Sequence, residues 1–207
     1  MVQKRTGIIT FNRKPMTLVG PELQPGDAAP DFRVLKANLA PVTLADSAGK
    51  VRLISVIPSI DTPICHAQTR RFNEEAATLP ENVAILTISA DLPFALRRWR
   101  AAEGIDRIQL LSDYQEHSFG RAYGVLIDEL KLLARAIFVV GADGKIVYRE
   151  IVPEVNQHPD YDAALKAARQ AAGEWYPETV QVGRVSPGRA HRLCGDLQIR
   201  KVSHLPC

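Results

Sequence analysis

Within PSIDTPICHAQTRRF, residues 58–72, Pro58, Thr62 and Cys65 are the residues whose types and spacing could do chemistry. Cys65 is the only cysteine in the first 193 residues. A hydroxyl residue followed by proline is a helix-start signal, with Thr62 at the N-cap and Pro63 at the first helical position. Cys65 is then the third helical residue, where backbone N–H groups lack partners and the helix dipole favours negative charge. A free thiol of pKa about 8.5 is only a few per cent ionised at neutral pH, and making it mostly thiolate takes about 2.7 kcal/mol. A helix terminus supplies about 0.3–1 kcal/mol, ~2 at best. Nucleophilic chemistry here therefore asks for a nearby cation, and a guanidinium, always charged and forked, suits it.

A Cys-x-x-Cys pair at this position would signal exchange by a local dithiol. Thr62 occupies the first place, so that chemistry is excluded. A single nucleophile remains, with a hydroxyl one helical turn before it, a pair suited to orienting a small oxygen electrophile. His66 cannot serve as base to its neighbour, because adjacent helical residues point about 100° apart. It is expected at the surface.

The elements around this pair are legible in outline. KVRLISVI, residues 50–57, is rich in branched apolar residues and ends at Pro58, as expected of a central strand buried on both faces. Ile64, Phe72, Ala76 and Leu79 predict one apolar face of a helix running to about Thr78. NVAILTIS is the next strand, LPFALRRWRAAEG a helix stopped by Gly104, and IQLLSD a short extended segment. HSFGRAYGV begins as helix, and ARAIFVVGADGKIVYREI reads as two strands about Asp143 and Gly144. A capped helix begins near Asp160. GIITF and MTLV predict an N-terminal β-hairpin, and FRVLKA a further strand. Strands alternating with helices, plus a late antiparallel hairpin, imply an α/β, thioredoxin-like mixed sheet flanked by helices. The domain is expected to span 1–173, with 174–207 an irregular C-terminal extension of disordered character.

Composition narrows the function classes. The 207 residues are 46% hydrophobic and 24% charged, and no apolar run approaches the roughly 18 residues of a membrane span. No secretory signal is visible, so the expected location is cytoplasmic. The net charge of +3 comes largely from the extension; residues 1–173 carry 21 Lys/Arg against 20 Asp/Glu, which argues against nucleic acid. Three cysteines, Cys65, Cys194 and Cys207, are too few for a disulfide framework. His191, Cys194, His204 and Cys207 have the ligand inventory of a Cys2His2 zinc site, but their spacing fits no known pattern, so no metal is assigned.

P-x-x-x-T-x-x-C, realised as Pro58, Thr62 and Cys65, resembles the active-site signature of the peroxiredoxins. With SADLPFA at 89–95, AEG at 102–104 and LLARAIFVV at 132–140, the chain is similar over residues 7–172 to their thiol peroxidase branch, the atypical two-cysteine group. The resemblance implies that Pro58 shields the site, Thr62 and Arg135 bind peroxide and Cys65 attacks it. It makes an inert, buried Cys65 the weaker reading. Pairing of Arg135 with a carboxylate such as Asp61 is the structural alternative. The resemblance also implies no metal or organic cofactor, a peroxide substrate, thioredoxin or another thiol as reductant, and a homodimer packed near the active-site helix. Asp61 and Glu103 are, as charged residues, candidates for interface salt bridges.

The branch carries a resolving cysteine in the helix after SADLPFA, where this chain has Arg100. Resolution by an external thiol is the preferred expectation, since an irregular tail must overcome loop-closure entropy to bring Cys194 or Cys207 to the site. A damaged enzyme is the third reading. A different class of function, a thioredoxin-like redox sensor or interaction module without turnover, fits the same motif.

Overall fold

The computed structural model describes residues 3–173; His191, Cys194, His204 and Cys207 lie outside the described residues. The expected hairpin is formed by β1 (Lys4–Phe11) and β2 (Lys14–Val19). Asn12 and Arg13 between them both have positive φ, 51° and 64°, as a tight hairpin turn requires. The FRVLKA segment keeps only two strand residues, β3 (Val34–Leu35), paired with β4 (Pro41–Val42).

β5 (Val51–Val56) is buried at every position. Its faces alternate: Val51 and Leu53 enter one core, Ile54 and Val56 the other. After it come α1 (Pro63–Glu75), β6 (Val83–Ser89), α2 (Pro93–Glu103), β7 (Gln109–Ser112) and α3 (Ser118–Ala122). A single 3-10 turn, Ala76–Thr78, ends the α1 region at the predicted Thr78. Gly104, in the left-handed conformation at φ 64°, stops α2. β8 (Leu126–Ile127), β9 (Ala136–Val140), β10 (Ile146–Ile151) and α4 (Tyr161–Ala171) complete the elements of the described residues. The Asp160 side chain accepts from the Ala163 amide and caps α4.

Seven strands form one sheet in the order β10-β9-β5-β6-β7-β3-β4. The β5–β6 and β6–β7 pairs are parallel and the others antiparallel, giving the expected mixed sheet. α1, α2 and α4 send Phe72, Leu96, Trp99 and Leu165 into the core on one face. The other face is covered by Phe119 of α3, Tyr123 and the small sheet β1-β2-β8. Among the described residues no helix is long and apolar enough to cross a membrane.

Candidate active site

The end of β5 delivers the chain to the site. Pro58 is buried, and the loop after it is fastened by Asp91: Ser59 Oγ donates to Asp91 Oδ1 at 2.8 Å and the Ile60 amide to Oδ2 at 2.7 Å. Asp91 belongs to the SADLPFA segment, and Ser89 also donates to it at 2.8 Å. Both parallel strands thereby fix where α1 begins.

Thr62 stands at the N-cap with extended backbone, φ −107° and ψ 146°, and Pro63 follows as expected. Its side chain, however, does not cap the helix. The hydroxyl donates back to the Ser59 carbonyl at 3.1 Å, leaving its lone pairs available to accept. Cys65 is the third helical residue and 0% exposed.

The buried face of α1 differs from the predicted apolar stripe. It consists of Cys65, Gln68, Thr69 and Phe72, spaced at i, i+3, i+4 and i+7, whereas Ile64 and Ala76 are half-buried. Two polar residues sit there because buried polar groups on either side need partners. Thr69 donates its hydroxyl to the Cys65 carbonyl at 2.8 Å. Gln68 Oε1 accepts from Arg135 Nη1 at 2.6 Å, and Gln68 Nε2 donates to Ser55 Oγ at 2.8 Å.

Arg135, immediately before β9, is 1% exposed. Its Nε donates to the Val155 carbonyl at 2.9 Å, and its Nη2 lies 3.3 Å from Cys65 Sγ. The structural alternative for this arginine does not arise, because Asp61 lies 4.0 Å from Arg98 on the surface. A positive group thus faces the sulfur from β9 while the helix terminus faces it from α1. That arrangement can hold a sulfur anion and stabilise charge developing on the oxygen expelled when that sulfur attacks an O–O bond.

Other groups complete the surroundings. His66, expected at the surface, is half-buried; Trp99 Nε1 donates to its Nδ1 at 3.2 Å, and its Nε2 is 3.4 Å from Glu103. Glu103 also pairs with Arg70 at 3.3 Å, so these residues bind α2 to α1. Outside Cys65, a cleft of about 480 Å3 is lined by Ile60, Thr62, Pro63, His66 and Trp99. Tyr161 packs its ring on Phe72 at 5.5 Å and beneath Arg71 at 4.2 Å. Burial raises its pKa, and the neighbouring Arg135 and Arg71 partly offset the rise. Gln68, Ser55 and Tyr161 were not anticipated. Gln68, three residues after a candidate nucleophile, was the one available signal.

Arg100, at the place expected of a resolving thiol, donates Nε to the Ile105 carbonyl at 2.8 Å beyond the end of α2. Among the described residues Cys65 is the only cysteine, and it is free.

Comparison with known proteins finds relatives in both sequence and fold. The family model described as Redoxin matches residues 24–165. A thiol peroxidase from Halalkalibacterium halodurans is 58% identical over 163 residues, 79% of this chain and 98% of the relative. A thiol peroxidase from Bacillus subtilis is 57% identical over 161 residues, 78% of this chain and 96% of the relative. Among solved structures, a peroxiredoxin-like protein from Aquifex aeolicus superposes with a TM-score of 0.75 at 35% identity, covering 82% of this chain and 98% of that one.

Proposed function

Because the chain belongs to the Redoxin family, on its thiol peroxidase side, we propose that it reduces hydrogen peroxide and small alkyl hydroperoxides through Cys65 and is recycled by an external thiol. The observation that carries this reading is the 3.3 Å approach of the Arg135 guanidinium to Cys65 Sγ inside a closed site.

In the first step the Cys65 thiolate attacks one peroxide oxygen in line with the O–O bond. The S–O bond forms as the O–O bond breaks, the sulfur is oxidised by two electrons, and the departing oxygen takes a proton to leave as water or an alcohol. Arg135 stabilises the negative charge passing from sulfur to the leaving oxygen, and the Thr62 hydroxyl orients the peroxide. Pro58 closes the site beside them.

The product is a Cys65 sulfenic acid. An external thiol then condenses with it, releasing water and forming a mixed disulfide. A second thiol frees Cys65 and departs in the new disulfide. Arg100 at the expected resolving position supports the external route. Thioredoxin is the reductant proposed by kinship, and a homodimer the proposed assembly.

The test is peroxide consumption by the full chain with thioredoxin, glutathione or dithiothreitol, with disulfides mapped on the same samples. Sustained consumption that Cys65→Ser abolishes is expected. A single stoichiometric oxidation without turnover would instead indicate a sensor module. A Cys65 disulfide to Cys194 or Cys207 after one equivalent of peroxide would overturn external resolution.

A further inference from the structure

While Trp99 and Glu103 of α2 reach α1, Leu96, Arg97 and Arg100 of the same helix line a separate open cleft of about 400 Å3. Its other lining includes Lys36, from the turn joining β3 to β4, and Leu110 and Leu111 of β7. Leu96 and Leu110, 3% and 7% exposed and on the same face of the sheet, form a small apolar floor beneath exposed cationic groups, while the Leu111 side chain enters the opposite core.

These cations stand outside direct ion pairs among the described residues, although the Asp46 carboxyl, its pKa lowered mainly by hydrogen bonds from Thr43, is also lowered by the charge of Lys36. The backbone of Lys36 is fixed by its amide donating to the Ala40 carbonyl and by the Leu39 amide donating to its own carbonyl, both at 2.9 Å. Arg97 lies over the Phe94 ring at 5.7 Å. Arg100 uses Nε on the Ile105 carbonyl, while its two terminal nitrogens have no hydrogen-bond partner among the described residues. None of the three belongs to an ion pair among the described residues, whereas their neighbour Arg98 lies 4.0 Å from Asp61. Like charges gathered about a concave, low-dielectric surface raise the local potential, and an oxyanion relieves that repulsion while accepting the free guanidinium donors. Apolar floor and polar rim are also the usual make-up of a small-molecule site.

We propose that this cleft binds a small organic oxyanion, its carboxylate or phosphate head against Lys36, Arg97 and Arg100 and its apolar body over Leu96 and Leu110. The inference does not rest on the peroxidase reading, since none of these residues forms a side-chain hydrogen bond with Cys65, Thr62 or Arg135.

The test titrates the full-length protein at low ionic strength with phenyl phosphate, phenylacetate, inorganic phosphate and benzyl alcohol, following backbone amide signals and thermal midpoint. Saturable shifts at the Lys36 to Asn38 turn and along the last turn of α2 are expected with phenyl phosphate or phenylacetate, and the tighter of the two identifies the head group. Arg97→Gln with Arg100→Gln should weaken binding about tenfold or more, and Arg98→Gln by less than about twofold. Lys36→Gln, on an exposed turn, gives the same reading if the double variant does not fold. Benzyl alcohol or inorganic phosphate binding as tightly as the organic anions would overturn the proposal. So would an affinity untouched by the variants, or no saturable binding at all.

Discussion

Arg135 is among the largest fully buried side chains, and a buried guanidinium is tolerated only when its donors are matched. Val155, Gln68 and Cys65 each take one donor group. Gln68 is in turn oriented by Ser55, so the charge facing the sulfur is aimed by a residue on β5 that touches neither. Gln68→Met keeps the volume but leaves Arg135 Nη1 without an acceptor. It should cost about 1–3 kcal/mol of stability, read by urea unfolding. It should also slow peroxide oxidation of Cys65 about tenfold or more, read by stopped-flow fluorescence. An unchanged oxidation rate would remove Gln68 from the positioning of Arg135.

At the scale of elements, α3 shows how a five-residue helix is made to hold. Asp113, just past β7, accepts from the Phe119 amide at 3.1 Å and the Gly120 amide at 2.8 Å. Burial nevertheless pushes its carboxyl up to about 6, against the opposing pull of those backbone amides. The folded state therefore binds a proton more tightly than the unfolded chain, whose carboxyl titrates near about 3.9. This contribution is fully present below about pH 4 and is lost as pH rises through about 6. Glu150, also raised by burial, acts in the same direction. Asp113→Asn should flatten the stability profile between those limits, which urea titrations of both proteins at stepped pH would reveal. Most elements could be read from local pattern, because β5, β9 and α4 have apolar periods or caps that need no knowledge of the rest. The start of α1 was legible through Thr62 and Pro63. The polar face of α1 was not, because Gln68 is needed only where Arg135, 67 residues away in the chain, comes to meet it. For the same reason Arg135 was identified through family resemblance, since nothing in an apolar strand marks an arginine as aimed at a sulfur. His66 keeps a surface-facing side chain, 37% exposed, but its partner Trp99 was not legible because it lies on another helix.

At the scale of the whole molecule, one sheet separates two cores, and the N-terminal hairpin closes the core opposite Cys65. Arg5, buried in β1, locks it by donating to the carbonyls of Gly20 and Gly124. Gly124 has φ +66°, and a Cβ there would lie 1.9 Å from the Pro21 carbonyl oxygen. Gly124→Ala should therefore cost roughly 2–4 kcal/mol and lower the thermal midpoint by roughly 5–15 °C. The Cys65 oxidation rate measured well below that midpoint should stay near wild type, because the strain falls across the sheet from the sulfur. The complete enclosure of Cys65 sets a different boundary on the cycle. A sulfur closed even to water needs a local opening for either reactant, and peroxide needs a smaller one than a reductant does, so the two half-reactions are expected to answer to different gates. When oxidant is abundant, a second peroxide should win the race to the sulfenic acid and strand the enzyme as a sulfinate. The inactivated fraction should then track the ratio of oxidant to thiol and shrink under mild denaturant that loosens the first turn of α1.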